Sequence, residues 1–386
     1  MKTKSKILLT LGGAFALFSC GESSDSESAT GENFEFSYTT DTVMVDAGEH
    51  FFFLNFGLGM SDVTNDSKLL YNLNPQTLLL EVVDLDNLKL KETIQLEMEG
   101  PNAVGGGFIS KLQVLDNGNI MLFDLHKISE INPKGELVRK YEFDKNTLSG
   151  YEFGETDKVS YLGIFSGDGK TYVASLDDED YTAPVKGFAK INIESNEMTF
   201  VPTDAMSKLD EFDITVEMPG GGRMSTGESI FLHIIGDDFV FTNSGFNEVY
   251  IYDLSTDSLK NKTFQANLTT NERVKNFPTQ VDSREELFAS SKEKNKQVRF
   301  GPMINQESEK LIWRFSKDLD RMIADSVVTK DVVTFFDQDF KMLKEQQLEN
   351  FTNSNNPFFK DGMLYSFLNI DDEMAFVRVK PTFNYE

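Results

Sequence analysis

The side chains that most often carry chemistry are scarce in this chain of 386 residues: three histidines (His50, His126, His233), one cysteine (Cys20) and one tryptophan (Trp313). No two histidines lie within three to five residues of each other, so no local metal-ligand spacing exists. No Gly-x-Ser-x-Gly elbow accompanies them, so nothing in the sequence supports an assembled Ser-His-Asp triad. The acidic runs Asp84-Leu-Asp86-Asn87 and Asp177-Asp-Glu-Asp180 lack the glycine and the twelfth-position glutamate of a calcium loop and read as solvated turns. No catalytic residue, metal ligand or cofactor site is therefore assigned.

Residues suited to binding are easier to find. The run Glu99-Gly-Pro-Asn102, followed by Gly105-Gly-Gly107, has a counterpart in Glu217-Met-Pro-Gly220-Gly-Gly-Arg223. Glycines there either expose amide N–H groups as an anion nest or let the chain cross where only small residues fit; the crossing is the favoured reading. Arg299, Trp313 and Arg314 stand out against an acidic background. An arginine fork recognises carboxylates, and an indole stacks on rings. If the strand opening at Leu311 is innermost in its sheet, alternation sends Trp313 and Arg314 to opposite faces, so that only one lines a central channel. The candidate ligand-binding set is Glu99, Asn102, Arg299, Trp313 and Arg314.

Such residues need a frame, and apolar residues alternating with period two between Gly, Asn and Asp turns predict strands. Six units emerge: 68–73, 78–84 and 88–96; 120–124, 127–131 and 137–143; 171–176, 187–193 and 198–201; 239–243, 248–253 and 260–265; 311–315, 332–337 and 340–345; 363–368 and 374–379. Asn117-Gly118, Asp168-Gly169 and Asp361-Gly362 supply hairpin chemistry at equivalent places. One such unit buries a single face; six stacked radially bury one another. The expected fold is all-β, a six-bladed β-propeller over 34–386, with a strand around 42–46 completing the last blade; a β-sandwich or a pair of sandwiches is the alternative. Residues 206–213 and 318–327 are expected to be short helices or long loops on the ring. No second-domain boundary is visible.

Composition narrows the partners. The formal charge is −26, with 63 acidic against 37 basic residues, so nucleic acid, which needs a basic footprint, is excluded as the expected partner. With 34 Phe there is ample apolar mass for a core.

The first residues carry an address. Lys2, Lys4 and Lys6 precede an apolar run of residues 7–18, too short to span a bilayer and patterned as an export signal. The run ends Leu17-Phe18-Ser19-Cys20, which resembles the lipobox of bacterial lipoproteins; Phe18 departs from the small residue usual at its position. The resemblance implies cleavage after residue 19, a diacylglycerol on Cys20, and a membrane anchor. Loss of residues 1–19, which hold three lysines and no acid, takes the charge from −26 to −29. Residues 20–33 lack large apolar side chains and read as a flexible acidic tether; they also resemble the surface-export signal of Bacteroidota lipoproteins. The Glu99-Gly-Pro-Asn turn, Val298-Arg-Phe-Gly-Pro-Met303 and Leu311-Ile-Trp-Arg-Phe-Ser316 together resemble the lipoprotein family called domain of unknown function 4221, grouped with TolB-like six-bladed propellers. That resemblance implies the fold, an outer-membrane or wider cell-envelope location, and no particular activity.

Three functions follow as expectations. The first is a lipid-anchored binding or interaction module whose partner is an envelope protein or a glycan. The second is an envelope hydrolase or lyase acting on a glycan or ester. The third is a scaffold without a small-molecule ligand. A convergent polar pocket favours the first two, and a channel filled by Phe and Leu favours the third.

Overall fold

The computed structural model describes residues 25–28, 34–105, 109–178, 185–203, 205–324, 326–349 and 356–385. Among the described residues the chain is dominated by antiparallel β-sheet, arranged as six sheets in succession and a smaller seventh. The first sheet holds Ser61–Val63, Leu69–Asn74, Leu79–Asp84 and Lys89–Gln95; the second holds Lys111–Val114, Ile120–Phe123, Ile128–Ile131 and Leu137–Tyr141. In the third, Asp157–Val159 and Ile164–Phe165 both pair with Thr171–Asp178, followed by Gly187–Asn192 and Glu197–Pro202. The fourth holds Ile230–Ile235, Asp238–Asn243, Glu248–Asp253 and Ser258–Gln265; the fifth holds Arg299–Gln306, Leu311–Ile323, Ser326–Phe336 and Met342–Leu348. The sixth takes Phe358–Lys360, Met363–Ile370 and Glu373–Tyr385 from the end of the chain and Phe34–Met44 from near its start.

The middle strands explain the apolar runs in the sequence. Ile120–Phe123 and Ile128–Ile131 are buried at every residue. A strand covered on both faces has no reason to alternate. What covers them is the neighbouring sheets. One apolar cluster joins the first and second sheets through Leu73, Leu80, Leu112 and Leu122. The next joins the second and third through Phe123, Tyr141, Tyr172 and Ile191. The third and fourth meet at Phe188, Phe239 and Phe241, and the fourth and fifth at Val240, Phe264, Ile312 and Phe336. The fifth and sixth meet at Phe34, Trp313 and Phe335, and the sixth returns to the first at Leu70, Val83, Tyr365 and Phe376. The contacts thus run in a closed cycle.

Closure is made in the sixth sheet. Phe34–Met44 pairs antiparallel with the last strand, from Phe34 opposite Tyr385 to Met44 opposite Ala375. The strand expected at 42–46 to complete the last unit is there, longer than anticipated and starting earlier. Four residues of the expected tether, Asp25–Ser28, pair in parallel with Lys262–Gln265 on the edge of the fourth sheet. The expected signal segment and Cys20 lie outside the described residues.

Two other expectations change. Within 206–213 there is a short helix, Ala205–Asp210, as anticipated. Residues 318–327, however, are neither helix nor loop: they continue the strand pair Leu311–Ile323 and Ser326–Phe336 out to a tip at Ala324, with a bulge between Leu319 and Arg321. The extension is braced at its base, where the Thr270 N–H donates to Asp318 Oδ2 at 2.8 Å. Each of the six units also gains a strand before those read from the sequence, and these first strands are the innermost ones.

The seventh sheet, Ile214–Met218, Gly222–Thr226 and Gln280–Val281, lies in the connections on either side of the fourth sheet and packs with the helix Arg284–Lys294. A buried charge cluster holds it. Glu228 lies 3.3 Å from Arg273 Nε and 3.3 Å from Lys294 Nζ. Lys294 Nζ also donates to the carbonyls of Phe212 (3.2 Å) and Thr226 (3.1 Å), and Arg273 Nη1 to that of Lys294 (3.1 Å). One carboxylate thus balances two cations away from water. Glu228→Gln is expected to lower stability by about 3 kcal/mol, because it leaves buried cations unbalanced. Thermal melts of the two proteins check this, and equal midpoints would contradict the anchoring role.

Candidate functional site

The innermost strands of all six sheets line one cavity of about 1630 Å³. That exceeds the roughly 300–1,000 Å³ typical of small-molecule pockets. Its lining runs from residues just before the first strands, such as Gly59 and Ser110, to the turns just after them, such as Asp66 and Asp361. The cavity therefore extends along the whole length of these strands.

Short strands around an open axis need lateral support, and side chains supply it from one sheet to the next. Asp62 Oδ2 accepts the Val114 N–H at 2.8 Å. Gln113 reads both polar groups of Phe165, donating to its carbonyl at 2.8 Å and accepting its N–H at 3.0 Å. Lys111 Nζ donates to the Gly163 carbonyl at 2.6 Å. Each of these bonds links residues 52 apart, from the first sheet to the second or the second to the third. Between the sixth and first sheets, Asn356 Nδ2 donates to the Leu58 carbonyl at 2.8 Å and Ser67 Oγ to that of Phe359 at 2.9 Å.

Among the ionisable groups of the lining, three are shifted chiefly by burial in the direction of the neutral form. Burial pushes the Asp62 carboxyl up to about 6, against the opposing pull of the Val114 and Val63 amides and of Lys111. Burial takes the Lys111 ammonium down to about 8, with Asp62 working the other way. Burial, reinforced by the charge of Lys111, takes the His233 imidazole down to about 4. His233 Nε2 has no hydrogen-bond partner. Groups perturbed together in a cavity are a recognised mark of a functional site. At neutral pH the lining thus presents an ionised Asp62, a mostly charged Lys111 and a neutral His233, which can accept or donate through either ring nitrogen.

The residues singled out from the sequence are dispersed by the fold. Arg299 opens the innermost strand of the fifth sheet, is exposed, and lines the cavity opposite Lys317. Trp313 and Arg314 do not reach it. Their strand is the second in its sheet, because Arg299–Gln306 lies inside it, and each is only 1% exposed. Alternation does send them to opposite faces. Trp313 packs toward the sixth sheet against Phe36, Phe335 and Phe359, and its Nε1 donates to Gln306 at 2.8 Å. Arg314 turns toward the fourth sheet, over the rings of Phe264, Phe300 and Phe336, and donates to Asn247.

Glu99 and Asn102 lie in the connection from the first sheet to the second and are absent from the cavity lining. Their segment folds on itself through the Ala103 N–H to the Gly100 carbonyl (3.2 Å) and the Val104 N–H to the Glu97 carbonyl (3.0 Å). Gly105, with φ of +109°, passes so close to Lys127 that a Cβ would sit 2.5 Å from its Cε. Lys127 can swing its flexible end aside, so it is the positive φ that favours glycine at Gly105; Gly106 and Gly107 lie outside the described residues. The glycines of 217–223 form an exposed hairpin tip, with Gly220 and Gly221 at positive φ. His50 binds the buried Glu81 at 2.7 Å, and His126 occupies an exposed turn. Asp84 accepts the amides of Asp86 and Asn87 at 3.0 and 2.9 Å, so that acidic run is a turn that satisfies its own backbone.

Comparison with known proteins adds the following. A family model described as "Domain of unknown function (DUF4221)" matches residues 33–347. A solved member of that family from Bacteroides vulgatus superposes with a TM-score of 0.64 at 14% identity, covering 92% of this chain and 99% of its own. A solved "Putative exported protein" from Bacteroides fragilis superposes at 0.50 with 11% identity, again over 92% and 99%. No curated protein matches. At such identities the structural likeness speaks for the fold alone.

The burial of Trp313 and Arg314 has measurable consequences. As the one tryptophan, Trp313 is expected to emit at short wavelength and resist quenching by acrylamide until the protein unfolds. Ready quenching in the native state would contradict its place in the core. Arg314→Ala, which empties a site walled by three phenylalanines, is expected to cost about 3 kcal/mol in denaturant unfolding; a cost near zero would contradict that packing.

Proposed function

The chain belongs to the DUF4221 family, and from there we propose that its six sheets are the blades of a β-propeller whose central cavity binds a small polar ligand at the cell envelope. The cyclic order of the apolar clusters and the closing strand Phe34–Met44 support six blades in a ring. The observation that carries the binding reading is the cavity itself, lined by all six innermost strands and holding Asp62, Lys111 and His233. A scaffold that bound nothing would gain stability from apolar residues at those positions, since burying ionisable groups costs free energy.

Binding fits this geometry better than hydrolysis. A glycosidase needs a carboxyl group free to give its proton to a leaving oxygen. Asp62 has a suitably raised proton affinity, but its two oxygens are occupied by the amides of Val63 and Val114. Its role is to join the first two blades.

The address read from the sequence completes the proposal. Cys20 carries a lipid, residues 20–33 link it to the propeller, and the protein sits on the outer membrane with the cavity open to ligand. Among the described residues no helix is long and apolar enough to cross a membrane, so on this reading the lipid is the anchor. Two acyl chains or more suffice for stable attachment.

Two experiments test the proposal. Cys20→Ala is expected to shift the protein from the membrane fraction to the soluble fraction of cells; unchanged sedimentation would remove the anchor from the account. Ser110→Trp is expected to narrow the cavity while preserving the thermal midpoint, because Ser110 is exposed on the lining. A glycan, peptide and metabolite screen by calorimetry should yield ligands that bind the parent and fail on the variant. Ligands that bind both equally would place recognition elsewhere.

A further inference from the structure

Resting on the ligand-binding reading, we infer that the ligand is a small organic anion, seated by its carboxylate among Lys111, His233 and Arg299. The charges of the lining are not mixed evenly. Lys111 and Arg299 are the first residues of their innermost strands, and Lys317 stands opposite Arg299. Asp66, Glu307 and Asp361 lie instead in or beside the turns that follow innermost strands. The bonds from Lys111 to Gly163 and from Gln113 to Phe165 advance together along the two strands, so these strands run the same way. With the same sense around the ring, Lys111, Arg299 and Lys317 gather at one end of the cavity and Asp66, Glu307 and Asp361 at the other, where the lining cation Lys360 is tied to Asp86 and Asp361.

In a protein of net charge −26 a basic mouth is the exception. A cleft with low-dielectric walls focuses such a local field and draws in anions that the rest of the surface repels. The donors there are also incompletely used. Lys111 has three N–H donors; one is given to Gly163, and the ammonium lies 4.8 Å from the Phe123 ring centroid. His233 Nε2 is buried without a partner, although the residue lines the cavity. Of the acids near these groups, Asp331 is paired with Lys317 at 3.4 Å, and Asp62 is held by two amides. A carboxylate would accept from the N–H donors that Lys111 does not give to Gly163 and from His233 in its Nε2–H tautomer.

The sign of the pH dependence follows. Lys111 loses its proton as pH rises through about 8, so a ligand needing the charged form binds about tenfold more weakly one unit above that value. Below about 6, Asp62 is neutralised and ceases to repel the anion, so binding strengthens further on that side; His233 would add charge only near 4 or as the ligand raises its proton affinity.

Calorimetric titration of the purified protein with D-glucuronate, succinate and inorganic phosphate at pH 6, 7.5 and 9, beside neutral D-glucose, tests this. The expected result is saturable binding of at least one organic anion, weaker at pH 9 by about tenfold, and weakened in both Lys111→Met and Arg299→Gln. Arg299 is exposed and outside the core, so its variant remains informative even if Lys111→Met misfolds. Binding of glucose with none of the anions would overturn the anionic ligand and leave the cavity reading intact. Phosphate binding alone would overturn the carboxylate. Organic-anion binding indifferent to pH and to both substitutions would move the site away from Lys111.

Discussion

Mutual burial in a cycle is the constraint on which everything else in this protein depends. Each of the six sheets has two apolar faces and no stability alone, because a sheet of four short strands cannot bury enough surface to offset its ordering. Each face is covered by the next sheet in order, and the sixth is returned to the first by Phe52, Leu70 and Val83 meeting Tyr365 and Phe376. Phe34–Met44 closes the sixth sheet by carrying the beginning of the chain to its end. The 11-residue strand therefore fixes a contact between residues over 330 positions apart, a closure whose entropic cost grows only logarithmically with length.

The cavity is a consequence of that cycle. Sheets packed face to face around an axis leave their innermost strands facing one another without a layer between them. Most of these strands are short, and Ser61–Val63, Lys111–Val114, Asp157–Val159, Arg299–Gln306 and Phe358–Lys360 all contain charged residues. Their polar side chains do double duty. Asp62, Lys111 and Gln113 bond to backbone groups of the next sheet and at the same time give the axis its chemistry. A group placed there for support is desolvated by its neighbours, and the altered proton affinities of Asp62, Lys111 and His233 have that burial as their leading cause.

Much of this frame was legible in the sequence. The second and third strands announce themselves by apolar runs such as Ile120–Phe123, and turns such as Asn117-Gly118 mark where the second strand begins. The innermost strands were not legible, and the reason is physical. Ser61–Val63 and Phe358–Lys360 are three residues long, and a strand facing an open axis needs neither alternation nor a long apolar run. Without them the strand opening at Leu311 stands as the candidate innermost strand, with either Trp313 or Arg314 facing a channel; Arg299–Gln306 lies inside it and separates both from the axis. Their chemical distinctiveness was genuine, but it serves the packing of the fifth sheet against the sixth and the fourth. Arg299 alone of the five candidates was placed at the cavity. The 52-residue offset of the Asp62, Lys111 and Gln113 bonds is a repeat signal that could have revealed the inner layer, since it matches the spacing of the first units. His233 carries no such signal: it is a lone histidine in Ile230–Ile235, and only the fold brings it to the axis.

The central claim is that the axis holds a polar site whose ionisable groups are desolvated by their neighbours, and proton affinity there is its most direct measure. Imidazole carbon–proton resonances followed by NMR against pH suit the purpose, because the chain has only three histidines. The account predicts that one of the three, assigned by loss in His233→Gln, titrates near 4, and that its midpoint rises when Lys111 is replaced by methionine. A His233 that titrates near the ordinary 6.5, unmoved by that replacement, would mean that the imidazole is fully hydrated and uncoupled from Lys111, and would contradict the account.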